Sequence, residues 1–472
     1  MMSKYIRWFA GIVILLLVFG RLGHVLAANY DGNQSMDGFY RLERDTADVI
    51  FYGSSHVYAG VNVVDLWDDY GIAGYNLAGT MQTLWNTYYN MEETLKYQSP
   101  KVMVVDLYGL LIEDEYYGSS NVIKNVSSMR FSLNKVKNVW SSVPHEEFLT
   151  YIASYPLTHD SCTELKQGNY DEKVNNLGGE WYKGYRPTYA VTEYDALPQI
   201  DANPEKAEPT EKNREYLDRM VALAKEHQIQ LAFTVVPYAG LQKQDQSLYR
   251  WAKEYAEENG VLFLDGNLYL NEMGFNPATD YAEASHLNYS GSCKYTAYLG
   301  EWLTENYELT DRRGGQSWDS WQKYSDSYAA YRKNMELKGS ADVESYIHKL
   351  GERDDYLIII SLDNNYKENE LVKPLEELMG IDPYELDISA SVVLDHGTIR
   401  YQTPAEPKYL WYTETKLSDI AVVRNDEGVM KVLVNNQVQN HSYSDVTILV
   451  YDKTLDTIAD VVSYNRDGVL TR

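Results

Sequence analysis

The sequence predicts an α/β protein: a three-layer domain on a parallel sheet, followed by a smaller, mainly-β domain. Short apolar strands alternate with stretches of helical periodicity between Ala47 and Trp302, the pattern of parallel strands covered on both faces. Beyond Asp342 the pattern changes to strands punctuated by Asn and Gly turns. The length, 472 residues, exceeds one ordinary domain, and 44% hydrophobic with 24% charged residues is the balance of a folded globular chain.

At the start, Lys4 and Arg7 precede an uncharged apolar block from Trp8 to Gly20, the order that export machinery reads. The block is shorter than the ~20 residues of a full span. Leu22 to Ala28 extends it if Arg21 and His24 snorkel, whereas Val25-Leu-Ala27 and Leu26-Ala-Ala28 fit a cleavage site. Residues 1–30 are therefore read as a signal anchor or a signal peptide, with Arg21 favouring the anchor. The expected location is the cell membrane, single-pass with the bulk of the chain extracytoplasmic, or secretion.

Ala47-Asp-Val-Ile-Phe-Tyr52 reads as a strand stopped by Gly53, and Lys101-Val-Met-Val-Val-Asp106 as another, with helical material between. Residues from about 113 to 209 break the rhythm. They are rich in Tyr, Asn, Ser and Gly, with Trp181-Tyr-Lys-Gly-Tyr-Arg-Pro187 the densest aromatic cluster, and are read as an insertion over the sheet. After the cap-like Thr210, a helix over Glu215 to His227 leads into a strand from Ile229 to Val236, and a helix from Trp251 to Asn259 precedes a strand at Val261 to Leu264. The first domain thus spans 45–310, a helical connector 311–340, and the second domain 341–472. The second carries strands at Tyr356 to Ser361, Ser391 to Leu394, Lys431 to Val434 and Thr447 to Tyr451, with turns at Asp395-His-Gly397 and Asn435-Asn436.

Asp plus Glu outnumber Lys plus Arg by 69 to 42, a formal charge of -27 that repels a phosphate backbone and excludes nucleic acid as an expected partner. The 43 Tyr and 10 Trp suit sugar rings and wet interfaces as well as ordinary packing. Cys162 and Cys293, the two cysteines, form no disulfide framework, and both one bridge and two thiols are compatible with export. No His- or Cys-rich spacing points to a metal, and no cofactor is implied.

Nucleophilic serine chemistry needs a hydroxyl at a sharp turn, a base, an acid to orient the base, and donors for the oxyanion. Gly53-Ser54-Ser55-His56 after the first strand supplies the turn and the hydroxyl. Glu283-Ala-Ser-His286, just ahead of a helix through Tyr295 to Trp302, supplies acid and base. Order and spacing over residues 45 to 305 resemble the SGNH/GDSL hydrolases, whose fold is a flavodoxin-like three-layer sheet. The resemblance implies Ser55 as nucleophile, His286 as base and Glu283 as acid, with Asp280 a rival orienter. Ser54 and Glu283 each replace an aspartate of the family pattern. The oxyanion donors implied are the Ser55 and Gly79 N–H groups, the latter in Tyr75-Asn-Leu-Ala-Gly79. The family's third-block asparagine is missing from Leu107-Tyr-Gly109, leaving Asn76 or Tyr108 as substitutes. His56, Asn62, Gln82, Tyr108 and Trp181 are read as pocket-lining candidates.

The general plan is similar to membrane-anchored alginate-type O-acetyltransferases and to the teichoic-acid D-alanyl transfer protein, which act on surface polymers. The second domain, through Val432-Leu-Val-Asn-Asn436, Asp445-Val-Thr-Ile-Leu-Val-Tyr-Asp452 and Asp460-Val-Val-Ser-Tyr464, resembles the interleukin-like EMT-inducer domain, a β-sandwich. The function these resemblances imply is an extracytoplasmic serine esterase or O-acyltransferase on acylated cell-surface or secreted glycan, working beside other surface-polymer modification proteins. The alternative is a catalytically inactive glycan-binding or scaffold protein on the same fold. A lipase or peptidase of another serine family is disfavoured because no Gly-x-Ser-x-Gly elbow with the order serine, acid, distant histidine occurs.

Overall fold

The computed structural model describes residues 31–116, 118–153, 182–340, 342–352, 355–363, 365–386, 389–402, 409–415, 418–424, 430–439 and 444–472, with single positions 8, 11, 14 and 18. The expected anchor or signal, Trp181 and Cys162 lie outside the described residues. Among the described residues no helix is long and apolar enough to cross a membrane. The chain divides into two compact units, Met1–Ser325 and Asp326–Arg472.

The first unit opens with α1 (Asp31–Phe39), β1 (Val49–Gly53), α2 (Ser55–Gly60), α3 (Val63–Tyr70), β2 (Gly74–Ala78), α4 (Leu84–Thr94) and β3 (Val102–Asp106). A single-turn helix Leu107–Leu111 follows, then α5 (Ser119–Val126), α6 (Leu133–Ser142) and α7 (Phe148–Ala153). The sheet resumes with α8 (Glu211–His227), β4 (Gln230–Val235), α9 (Lys243–Asn259) and β5 (Leu262–Asp265). A hairpin of β6 (Tyr281–Glu283) and β7 (His286–Leu287) and the helix α10 (Tyr289–Asn306) complete the layer.

The five strands run parallel in the order β2-β1-β3-β4-β5. This is the doubly wound arrangement whose strand order reverses between β1 and β3, and such sheets bind ligands at the carboxyl edge beside that reversal. Alternation along the strands places Ile50, Tyr52, Met103, Val105, Phe233 and Val235 in one core with α4 and α8. Val49 and Phe51 turn to the opposite face, where α2, α3 and α10 pack.

Helix starts follow side-chain caps. Thr210 accepts from the Asn213 N–H and begins α8 a turn before the apolar periodicity, and Gln242 with Asp245 forms a capping box that starts α9 two turns before Trp251. Gly71 and Gly260 end α3 and α9 in the left-handed conformation. The insertion contributes α5, α6 and α7, then an irregular stretch over 182–209.

A long helix, α11 (Asp319–Lys338), carries the boundary between the units. The second unit adds α12 (Val343–Gly351), β8 (Tyr356–Leu362), α13 (Leu375–Met379), β9 (Ala390–Asp395), β10 (Thr398–Gln402), β11 (Tyr409–Glu414), β12 (Asp419–Arg424), β13 (Met430–Val434), β14 (Gln437–Val438), β15 (Val446–Asp452) and β16 (Thr457–Tyr464). They form two antiparallel sheets, β10-β9-β8-β15-β16 and β11-β12-β13-β14. Leu357, Ile359, Leu449 and Tyr451 of the larger sheet pack on Ile420, Val422, Val432 and Val434 of the smaller. The other face of the larger sheet carries Tyr356, Ile358, Ile360 and Leu362 against α12 and α13. The unit is therefore mainly β, as expected, two packed sheets with α12 and α13 added as a helical layer on the outer face of the larger one. The β8 run is apolar at nearly every position because both its faces are covered.

Candidate active site

Gly53 ends β1 in a conformation, φ +154°, that disfavours any other residue, and a Cβ there would lie 2.8 Å from Val57 Cγ2 and 2.9 Å from Asp106 Cβ. The close approach fixes where the chain leaves the sheet. Ser54 caps the next helix by accepting from the His56 N–H at 3.3 Å, so Ser55 is the first residue of α2 and its N–H has no carbonyl acceptor within the helix. The whole of α2 is buried, and Ser55 is 4% exposed. The serine stands at the carboxyl end of β1, beside the strand-order reversal.

His286 and Glu283 face each other across the β6–β7 hairpin, whose register pairs them directly. His286 Nδ1 is hydrogen-bonded to Glu283 Oε1, and Glu283 Oε2 accepts the Ser285 N–H at 2.9 Å. One carboxylate therefore holds both the turn and the imidazole. With Nδ1–H donated to Glu283, the lone pair is left on Nε2, the tautomer a general base requires. Nε2 is buried and has no hydrogen-bond partner among the described residues, Ser55 included. Gly240 anchors the hairpin from the loop after β4, its N–H donating to the Ala284 carbonyl at 2.7 Å.

Asp280, the rival orienter, is committed elsewhere. Its buried carboxylate accepts from Lys294 Nζ at 2.6 Å, Asn276 N at 2.7 Å, Ser290 Oγ at 2.7 Å and Thr279 Oγ1 at 3.0 Å. Burial opposes its ionisation, but the Lys294 ammonium and these donors outweigh it and hold the carboxyl below the usual range. It ties α10 to the loop before the hairpin.

The expected oxyanion donors are also largely engaged. The Gly79 N–H donates to the Gly53 carbonyl at 3.2 Å, because the pairing of β1 with β2 runs on past the strand ends. Asn76 is fully buried and donates to the Val57 and Val61 carbonyls at 3.3 and 2.7 Å, clamping the end of α2. In this conformation the Ser55 N–H is the candidate donor that helix geometry leaves open.

His56 is buried with its ring stacked on Tyr108 at 3.7 Å, edge-on to Tyr238 at 5.1 Å and tilted against His286 at 5.5 Å between ring centroids. Burial holds its pKa well below the ordinary value and the neighbouring His286 adds to this, while a loose approach to the Val236 main chain, short of hydrogen-bond geometry, opposes it. His56 is a neutral wall of the site. Tyr108 is its half-buried outer neighbour. Gln82 bonds to Thr87 and Asn90 of α4, and Asn62 caps α3, engagements that the expectation of pocket lining did not include.

Two groups were not singled out from the sequence. Asp106, ending β3, accepts the Val236 N–H at 2.8 Å and the Tyr108 N–H at 3.1 Å, and burial pushes its carboxyl up to about 7 against those two bonds. Tyr238 holds Asp245 at 2.8 Å and Tyr249 at 3.2 Å. An aspartate closing an apolar strand was the one available signal. The insertion also reaches the site. The Asn76 N–H donates to the Lys183 carbonyl, Arg186 N donates to Tyr58, Thr192 binds the Tyr281 and Ala282 carbonyls, and Tyr289 N donates to Thr188. Residues 183–192 thus strap β2 and α2 to the hairpin and α10.

Among the described residues no group of three or more His, Cys, Asp or Glu could hold a metal ion. No family model and no curated protein matches the chain. Solved structures similar to it include a protein described as an acylhydrolase from Bacteroides fragilis NCTC 9343, at 15% identity and a TM-score of 0.29, covering 57% of this chain and 92% of that one. A GDSL-like lipase from Bacteroides thetaiotaomicron VPI-5482 is similar at 14% identity and a TM-score of 0.29, covering 60% of this chain and 100% of that one.

Proposed function

We propose that the first unit is a serine esterase or O-acyltransferase, with Ser55 as nucleophile, His286 as base and Glu283 as its orienter. The observation that carries the reading is the Glu283–His286 pair. It leaves a buried, unpartnered Nε2 on the hairpin that packs against the helix beginning at Ser55, at the sheet edge where such folds bind ligands. For reaction, Nε2 comes within hydrogen-bond reach of Ser55 Oγ, a contact that commonly tightens only when substrate is bound.

In the proposed cycle Ser55 Oγ attacks the ester carbonyl and its proton passes to Nε2. The tetrahedral oxyanion takes the Ser55 N–H, and the leaving alkoxide departs with the proton from His286. Water or a sugar hydroxyl then gives its proton to Nε2 and attacks the acyl-serine, and as the acyl–Oγ bond breaks His286 returns that proton to Ser55 Oγ, releasing the acid or the transferred ester. The substrate class proposed is acylated cell-surface or secreted glycan, met outside the cytoplasm by a chain held at the membrane through residues 1–30. The second unit, on its resemblance to the interleukin-like EMT-inducer domain, is proposed to dock on the polymer or on a partner of its modification.

The engaged Gly79 and Asn76 donors favour a second reading, an inactive binding protein on the same fold. Fluorophosphonate labelling and p-nitrophenyl acetate turnover of the full chain decide between them. Labelling and turnover lost in Ser55→Ala and His286→Ala support the enzyme. A wild type that neither labels nor turns over overturns it.

A further inference from the structure

A second feature opens on the same edge of the sheet as Ser55. Trp85 begins α4, which leaves the carboxyl end of β2, and residues 113–116 follow the carboxyl end of β3. Thr210, Glu211 and Lys212 begin α8, whose other end enters β4. With the end of α6 these segments enclose a cavity of about 510 Å³, within the ~300–1,000 Å³ range of small-molecule sites. Its aromatic walls are Trp85, Tyr116, Trp140 and Tyr216. Trp140 has His145 stacked on one face at 3.8 Å and Phe148 edge-on at 5.4 Å, yet it is 48% exposed, and that exposed part of the indole is the platform the cavity presents.

The charge around the platform is one-sided. Among the described residues, Glu113, Asp114, Glu115, Glu211 and Glu215 line the cavity against the single ammonium of Lys212. That ammonium is already placed. It lies 3.8 Å from the Trp85 ring centroid and 4.8 Å from that of Tyr116, and donates to the Ser141 and Glu115 carbonyls at 2.7 and 2.5 Å. Burial lowers the Lys212 amine to about 8, against the opposing pull of Glu115 and Glu215, so a further cation is favoured at the open side of the cavity, where the exposed carboxylates stand, and not at the half-buried position that Lys212 fills. Of the carboxylates, Glu215 is paired with Arg219, Glu113 accepts from Gln244 Nε2 at 3.5 Å and Glu115 bonds to Tyr116, which leaves Asp114 and Glu211 as the two aimed at a ligand.

We propose that this cavity binds an amine-bearing saccharide, a glucosaminyl unit with a free, protonated amine, stacked on Trp140 and paired with the surrounding carboxylates. A flat half-exposed indole suits the face of a pyranose ring, and the carboxylate excess selects a cationic sugar over a neutral or anionic one. If Ser55 is the nucleophile, a polymer held here reaches the reacting centre along one sheet edge, supplying remote binding energy. Binding itself does not depend on that reading.

The test is calorimetric titration of the full chain with the tetrasaccharide of glucosamine, its fully N-acetylated counterpart, and spermine. Because the chain is acidic throughout, the controls separate the cavity from general attraction. Expected is binding of the glucosamine oligomer that weakens at least tenfold in Trp140→Ala, which leaves the charge unchanged, and in Asp114→Asn/Glu211→Gln. It stays as in wild type in Glu226→Gln/Glu257→Gln, at the opposite edge, and in Ser55→Ala. Equal binding by Trp140→Ala overturns the platform, and equal binding of the N-acetylated sugar overturns the choice of a cation. Spermine binding as tightly through the same residues overturns the choice of a sugar, and no binding overturns the whole. Thermal melting checks that Trp140→Ala is folded, and His145→Ala, which uncovers the indole without removing it, is expected to bind the glucosamine oligomer at least as tightly as wild type, weaker binding overturning the indole as the platform.

Discussion

Asp106 offers the sharpest physical test, because its burial makes stability depend on pH in a calculable way. Its carboxyl titrates near 7 in the folded chain against 3.8 in the unfolded one. Between those values the folded state holds a proton that the unfolded state has lost, so stability falls as pH rises from about 4 to about 7 and is flat above. From pH 5 to pH 8 the change amounts to about two pKa units, or roughly 2.7 kcal/mol at 1.36 kcal/mol per unit. Asp106→Asn removes the titration and carries its own fixed cost, since an amide cannot accept from both the Val236 and Tyr108 N–H groups. Denaturant unfolding of both proteins at pH 5 and pH 8 isolates the titrating part. The wild-type advantage over Asp106→Asn is expected to shrink by about 2–3 kcal/mol at the higher pH, the fixed cost cancelling in the difference. A difference between the two proteins that does not move with pH would refute the reasoning that Asp106 is protonated when folded.

Glu283→Gln is expected to lower kcat by about 10²–10⁴-fold with little change in KM, because glutamine can hold the wrong imidazole tautomer while packing as before. A turnover within threefold of wild type would remove Glu283 from the proposed mechanism. Gly53→Ala places a Cβ against Asp106 and Val57 and is expected to destabilise the chain by about 1–3 kcal/mol, read as a lowered midpoint in denaturant. Lys294→Met leaves Asp280 buried without its cation and is expected to cost about 2–4 kcal/mol, less than a wholly buried pair since Lys294 is partly exposed. Because the folded Asp280 carboxyl sits below its ordinary value, that contribution is present at neutral pH and is lost as pH falls through the carboxylate range. A cost undiminished in strong acid would contradict this.

The alternation of apolar strands and helices made the parallel sheet readable in advance, since period and length leave few other ways to bury Phe51, Val104 and Phe233. The tight turn at Gly53 and the three-residue spacing of Glu283 and His286 were equally legible, because both are local. What stayed hidden was long-range hydrogen bonding. Nothing in Tyr75-Asn-Leu-Ala-Gly79 announces that the Gly79 N–H is taken by Gly53, or that Asn76 turns inward to clamp α2. The cap-like place of Thr210 was legible and α8 does begin beside it, a turn ahead of the apolar face, whereas the start of α9 was missed by two turns because the polar cap at Gln242 precedes that face. The helical layer of the second unit was missed because the short α13 has too few turns to show a period.

The shared carboxylate of the hairpin has a mechanical meaning. In a site whose acid and base come from distant segments, their distance depends on how the rest of the fold packs. Here Glu283 and His286 face each other across one short hairpin, pinned at Ala284 by the Gly240 N–H, so their spacing is set within that hairpin by Glu283 itself, which also holds the turn. On the proposed reading, the imidazole's tautomer is therefore fixed locally, and substrate has only the approach of Nε2 to Ser55 left to complete.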